Sequence, residues 1–138
     1  MVHKTGLEDY YVIRNQKKLR FGYTTGSCAA GAARGAAELL FGEDEIREVE
    51  LMTPKGILLH LELLDIQRGE NAASCAVRKD AGDDPDTTNG ILVYAKVEKF
   101  LIRSDMDERI VIDGGTGVGR VTRPGLSQKI GEAAINPV

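Results

Sequence analysis

Residues 22–42 read Gly22-Tyr23-Thr24-Thr25-Gly26-Ser27-Cys28-Ala29-Ala30-Gly31-Ala32-Ala33-Arg34-Gly35-Ala36-Ala37-Glu38-Leu39-Leu40-Phe41-Gly42. Hydroxyl residues ahead of an alanine-rich run, with glycine behind it, predict a helix of about four turns. Gly31 and Gly35 stand one helical turn apart on the same face. Each costs about 1 kcal/mol against alanine, so close packing of that face onto a sheet or a ligand is the expected compensation. Beyond the helix the period changes to two. Val49, Leu51 and Thr53 alternate with Glu48, Glu50 and Met52, and Ile57, Leu59, Leu61 and Leu63 alternate with Leu58, His60, Glu62 and Leu64. Thr53-Pro54-Lys55-Gly56 between them carries the signature of a type I turn, so the pair reads as a β-hairpin. Further strands are expected over residues 74–79, 91–100 and 109–113. A long helix followed by hairpin-connected strands indicates an α+β fold, the helix packed on a mainly antiparallel or mixed sheet, rather than a doubly wound sheet.

The chain has 138 residues, of which 42% are hydrophobic and 28% charged, the profile of about one ordinary globular domain. A net charge of −3 provides no basic field for nucleic acid. The 2 cysteines, Cys28 and Cys75, have no Cys-x-x-Cys spacing and no paired histidines. They read as buried thiols of a reduced compartment, and no metal site is expected. The N-terminus is polar, without the apolar run of a signal peptide. The longest apolar stretch, residues 29–41, is interrupted by Arg34 and Glu38 and is too short to span a bilayer. The expected location is cytoplasmic. Residues 1–18 are a polar N-terminal segment, and Arg14, Lys17, Lys18 and Arg20 form a basic cluster at the end of this solvated lead-in.

Three segments depart from ordinary helix and strand patterns. In residues 22–27, free backbone N–H groups, the helix dipole and the hydroxyls of Thr24, Thr25 and Ser27 favour an anion, with plain helix capping as the competing reading. The segment lacks the Gly-Lys-Ser/Thr of a P-loop, which disfavours a nucleotide-binding enzyme of that type. Residues 79–90 begin Lys79-Asp80-Ala81-Gly82-Asp83-Asp84-Pro85-Asp86, with 4 carboxylates in 7 residues. Crowded aspartates raise one another's pKa, so a general base or a site for a cationic ligand is possible beside the reading of a solvated acidic turn. In residues 113–125, Gly114, Gly115, Gly117 and Gly119 let the backbone wrap closely around a ligand, and Arg120 and Arg123 can grip carboxylates. A flexible glycine-rich hairpin is the competing reading there. All 3 segments adjoin strand or helix ends, so they are expected to converge at one edge of the sheet.

Together and in order, these segments are far more specific than any one of them. The blocks are Leu19-Arg20-Phe21-Gly22-Tyr23-Thr24-Thr25-Gly26-Ser27-Cys28-Ala29-Ala30, Val77-Arg78-Lys79-Asp80-Ala81-Gly82-Asp83-Asp84-Pro85-Asp86, Gly117-Val118-Gly119-Arg120-Val121-Thr122-Arg123-Pro124-Gly125-Leu126 and the closing Gly131-Glu132-Ala133-Ala134-Ile135-Asn136-Pro137-Val138. With them the sequence closely resembles the N-terminal part of the cobalt-precorrin-5B C1-methyltransferase family, CbiD, of anaerobic cobalamin biosynthesis, over residues 19–138. Phe21 and Ser27 stand where the family usually has Thr, and Ala133 where it has Pro. Ser27 caps as Thr does.

The resemblance implies that residues 19–138 are the N-terminal α+β domain of a longer two-domain enzyme, similar to a permuted ribosomal S5 domain 2-like fold. This chain is then an N-terminal piece, expected to be inactive alone. The implied reaction moves a methyl group from S-adenosylmethionine to carbon 1 of a cobalt-bound corrinoid, the cobalt being carried by the substrate and not by the protein. The substrate's acetate and propionate groups call for Arg20, the turn of Thr24, Thr25, Gly26 and Ser27, Lys79, Gly115, Gly117, Gly119, Arg120 and Arg123. Asp80, Asp83, Asp84 and Asp86 would face the cationic donor or act as a base. The implied partners are the small corrinoid substrate and, on the protein side, a second copy or other corrin-pathway enzymes, with neither nucleic acid nor membrane. The alternative is a non-catalytic ligand-binding or assembly module.

Overall fold

The computed structural model describes residues 5–7, 10–14, 16–20, 22–80, 82, 89–101, 110–115 and 117. The chain divides into 2 units, Met1–Lys99 and Phe100–Val138. In the first, β1 (Tyr11–Arg14) and β2 (Lys17–Arg20) form a short antiparallel hairpin, Tyr11 opposite Arg20 and Arg14 opposite Lys17. This hairpin occupies sequence that reads as polar lead-in. Its strands are 4 residues long, too short for an alternation to declare itself.

Helix α1 (Thr25–Phe41) starts and stops where the capping residues place it. Thr24 is the N-cap, its Oγ1 accepting from the Ser27 N–H at 3.0 Å. At the other end the Gly42 N–H donates to the Glu38 carbonyl at 2.9 Å. Gly42 does not adopt the left-handed C-terminal cap; its φ is −94°. Crowding explains the glycine instead, since a Cβ there would lie 2.7 Å from the Glu38 carbonyl oxygen. The last turn holds no basic side chain, and Arg68 donates to the Gly42 and Asp44 carbonyls just beyond it.

The buried residues of α1 are Cys28, Gly31, Ala32, Gly35, Ala36, Leu39 and Leu40, a stripe at i, i+3, i+4 and i+7. The helix packs on β3 (Glu48–Met52), β6 (Ala72–Arg78) and β7 (Leu92–Glu98). β3 pairs antiparallel with β4 (Leu58–Glu62), Val49 opposite Leu61 and Leu51 opposite Leu59. The turn between them forms as expected: the Gly56 N–H donates to the Thr53 carbonyl at 2.9 Å, with Gly56 at φ +84°. The apolar alternation of residues 57–64 does not make one continuous strand. The Leu63 N–H donates to the Arg47 carbonyl, and the chain then changes sheet into β5 (Leu64–Arg68). There Asp65 takes φ 46° and the register shifts against β6. β5, β6 and β7 form an antiparallel sheet in that order, β6 and β7 lying within two residues of where the sequence puts them. The described fold is thus α+β, one helix on antiparallel sheets.

In the second unit, the described residues 100, 101, 110–115 and 117 carry no helix or strand. The strand expected over 109–113 is therefore absent at residues 110–113. Ile110, Val111 and Ile112 are exposed there, and β propensity without a ladder partner does not make a strand.

The core closes on side chains that α1 lacks. A Cβ on Gly31 would collide with Leu61, and one on Gly35 would stand 2.7 Å from both Leu63 methyls and 3.2 Å from the Cys75 Sγ. Leu61, Leu63 and Cys75 are all buried. Gly35→Val should therefore lower stability by about 1–3 kcal/mol through overpacking, read as a reduced urea midpoint. An unchanged midpoint would show that the interface can yield.

Burial pushes the Cys28 and Cys75 thiols from an ordinary 9.0 to about 11, the nearby Lys79 charge pulling Cys28 partly back. Between those pH values the unfolded chain has lost protons that the folded chain keeps. Stability that is full below pH 9 should thus fall as the pH rises toward 11. A Cys28→Ala, Cys75→Ala double variant should lose less over that window, measured by urea melts at both ends. Equal losses would clear the thiols of this effect.

Candidate functional site

The site begins where the β6–β7 ladder runs past its last strand residues. The Lys79 N–H donates to the Ile91 carbonyl at 2.9 Å, and the Gly90 N–H returns to the Lys79 carbonyl at 2.8 Å. Arg78 adds an Nη1 donation to the Gly90 carbonyl at 3.0 Å. These bonds close the neck of the acidic loop. The Asp80 carboxylate turns the chain by accepting from the Gly82 N–H at 2.8 Å, with Gly82 at φ +69°.

Tyr23, just before the helix cap, reaches this neck. Its N–H donates to the Asp80 carbonyl at 2.9 Å and its hydroxyl to the Arg78 carbonyl at 3.1 Å. The helix N-terminus and the entry to the acidic loop, which are far apart in sequence, are therefore neighbours. A cavity of about 340 Å³ opens beside them. Its wall carries both signs of charge: Arg78 and Lys79 against Glu62 and Asp80. The Asn89 amide, the Tyr23 ring, Leu64 and Val77 complete the lining with Gly90.

Lys79 is buried, 8% exposed, alone in this among the described charged residues. Burial pushes the Tyr23 hydroxyl up to about 12, with the charges of Cys28, Asp80 and Glu62 adding to the effect. Tyr23 thus remains a proton donor through the physiological range and is not a base. With its thiol near 11, Cys28 is protonated at neutral pH and is no nucleophile, although it sits in the first turn of a helix. Among the described residues, no group of His, Cys, Asp and Glu is placed to hold a metal ion, and no helix is long and apolar enough to cross a membrane.

Of the residues singled out from sequence, the structure brings Thr24, Thr25, Gly26 and Ser27 to the same neighbourhood as Lys79 and Asp80 through the Tyr23 bonds. Thr24 also donates its hydroxyl to the Ser27 Oγ at 3.2 Å, so these hydroxyls do cap the helix. Arg20 ends β2. Gly115 and Gly117 belong to the second unit, Gly117 at φ +88°, with nothing within 4 Å of a Cβ built on either. Asp83, Asp84, Asp86, Gly119, Arg120 and Arg123 lie outside the described residues, as do most of residues 113–125. Sequence reasoning missed Glu62, Arg78, Asn89 and above all Tyr23. Tyr23 and Arg78 stood inside the quoted blocks, immediately beside residues chosen for their charge or hydroxyls. Glu62 had no signal beyond its place on the polar face of a strand.

Comparison with known proteins places the chain in a family. The CbiD family model matches residues 12–138. The chain is 52% identical over 128 residues to the cobalt-precorrin-5B C(1)-methyltransferase of Ruminiclostridium cellulolyticum, covering 93% of this chain and 32% of that protein. It is 51% identical over 125 residues to the protein of the same name from Geobacter metallireducens, covering 90% of this chain and 34% of the relative. The chain thus spans about a third of the length of the curated relatives it matches. It is also similar to the 1.9 Å crystal structure of a cobalamin biosynthesis protein (cbiD) from Archaeoglobus fulgidus, at 34% identity and a TM-score of 0.45 over 64% of this chain and 28% of that one. With the family model matched over nearly its whole length, the chain belongs to the CbiD family.

Proposed function

We propose that residues 19–138 of this chain form the N-terminal α+β domain of a longer cytoplasmic enzyme. That enzyme transfers the methyl group of S-adenosylmethionine to carbon 1 of cobalt-precorrin-5B in anaerobic cobalamin biosynthesis. The observation that carries this reading is the cavity between the helix N-terminus and the neck of the acidic loop, in a chain whose relatives bear that enzyme's name. The helix-and-hairpins unit is read as similar to a permuted ribosomal S5 domain 2-like fold.

The cavity suits the methyl donor better than the macrocycle. Its volume of about 340 Å³ lies at the small end of ligand sites, which run from roughly 300 to 1,000 Å³. A tetrapyrrole needs a larger cleft. S-adenosylmethionine presents a carboxylate, an ammonium and a sulfonium, and the wall offers Lys79 and Arg78 to the first, Glu62 and Asp80 to the others. When bound, it supplies an electrophilic methyl group. The task of the protein's own residues is then alignment, holding donor and ring carbon in contact and in line. Arg20, Arg120, Arg123, the glycine-loop backbone at Gly115, Gly117 and Gly119, and the turn of Thr24, Thr25, Gly26 and Ser27 are suited to the acetates and propionates of the corrinoid. Asp80, Asp83, Asp84 and Asp86 are suited to the cationic donor or to proton removal.

Calorimetric titration of the 138-residue chain and of a full-length relative with S-adenosylmethionine tests where the donor binds. Heat of binding to both is expected; binding to the relative alone would move the donor site elsewhere in the protein. The chain by itself should transfer no labelled methyl group to the corrinoid, and detectable transfer would contradict the reading. In a full-length relative, replacing the aspartates that match Asp83 and Asp84 with asparagine should lower kcat about a hundredfold or more. Neutralising solvated charges shifts stability by no more than about 0.5 kcal/mol, so the melting temperature should hold. Unchanged kinetics would return the loop to a solvated acidic turn.

A further inference from the structure

The carbonyls of Arg78 and Asp80 both accept hydrogen bonds from Tyr23, at 3.1 and 2.9 Å. In extended chain the carbonyls of residues i and i+2 point the same way, while those of the intervening residue point to the other side. That other side is occupied: the Lys79 N–H and carbonyl are bonded to Ile91 and Gly90. Tyr23 and the 90–91 strand entry therefore hold the 78–80 segment from opposite edges. The Tyr23 ring is packed against the core and forms part of the cavity wall. It is a rigid spacer with few rotatable bonds between its two donors.

We propose that Tyr23 is the positioning residue of this site. By bracketing Lys79 from the side opposite Gly90 and Ile91, it fixes how Lys79 and Asp80 are presented to the cavity and couples the helix N-terminus to the entry of the acidic loop. This role rests on the ligand-binding reading above, but it makes its own structural claim. Tyr23 acts through the neck and is not assigned any bond-making step.

Tyr23→Phe removes only the hydroxyl donation to Arg78. In the 138-residue chain, it should leave the melting temperature within a few degrees of wild type. Amide exchange at Lys79, Gly82 and Gly90 should quicken by about tenfold, the scale of one lost hydrogen bond. The backbone resonance of Gly82, which reports the Asp80 turn, should shift, while amides of the β3–β4 hairpin should not respond. The dissociation constant for S-adenosylmethionine should rise by a similar factor. A Tyr23→Leu variant, which also loses the ring, should weaken binding and lower the melting temperature. Unchanged exchange at the three neck amides in Tyr23→Phe would overturn the proposal, as would quickened exchange of equal size in the hairpin, which would mark a general structural role. If the wild-type chain gives no binding heat, the donor reading fails on its own account, and the exchange pattern still decides the role of Tyr23.

Discussion

Helix α1 rests on the sheet at two positions that have no side chain. Gly31 faces Leu61, and Gly35 faces Leu63 and the Cys75 Sγ, with no room for a Cβ at either point. Two helical glycines weaken the isolated helix by about 1 kcal/mol each, and the contact they permit sets the depth at which the helix lies. That depth fixes the height of its first turn over the end of β6. The rest of the candidate site depends on this placement, because Tyr23, immediately before the cap, can bond to Arg78 and Asp80 only when the two ends meet.

Where they meet, backbone bonds hold the charged residues. Lys79 is buried beside the loop neck, and taking an ammonium out of water costs several kcal/mol without compensating charge and hydrogen bonds. The carboxylates of Asp80 and Glu62 line the same cavity. Burial also pushes the Tyr23 hydroxyl and the Cys28 thiol further up, away from neutral pH. Among the described residues, the helix N-terminus carries no activated nucleophile.

The change of sheet at Leu63 matters for the same reason. A single strand through residues 57–64 would carry Leu64 along the edge of the β3–β4 hairpin. Instead the bond from Leu63 to Arg47 and the bulge at Asp65 send the chain across to pair with β6. Leu64 and Glu62 then both line the cavity. The strand change thus sets Leu64 beside Glu62, the last residue of β4, on the cavity wall.

Helix α1, the β3–β4 hairpin with its Thr53–Gly56 turn, and β6 and β7 were legible in the sequence, because capping, turn chemistry and apolar period are local properties of neighbouring residues. Thr24, Ser27, Lys79 and Asp80 stood out in the sequence as hydroxyls before a helix and as clustered charge, each with a structural reading beside the functional one. The short β1–β2 hairpin was not legible, because strands of 4 residues show no clear alternation; the start of β5 and the missing strand at 110–113 were not, because each depends on whether a distant segment completes the hydrogen-bond ladder. Gly42 was read as the helix end, and proximity to the Glu38 carbonyl is what selects glycine there. Tyr23 shows the division most clearly. Its sequence neighbours mark it only as the residue before a cap, whereas its two bonds join positions 23, 78 and 80, a relation that exists only after α1 has settled onto the sheet.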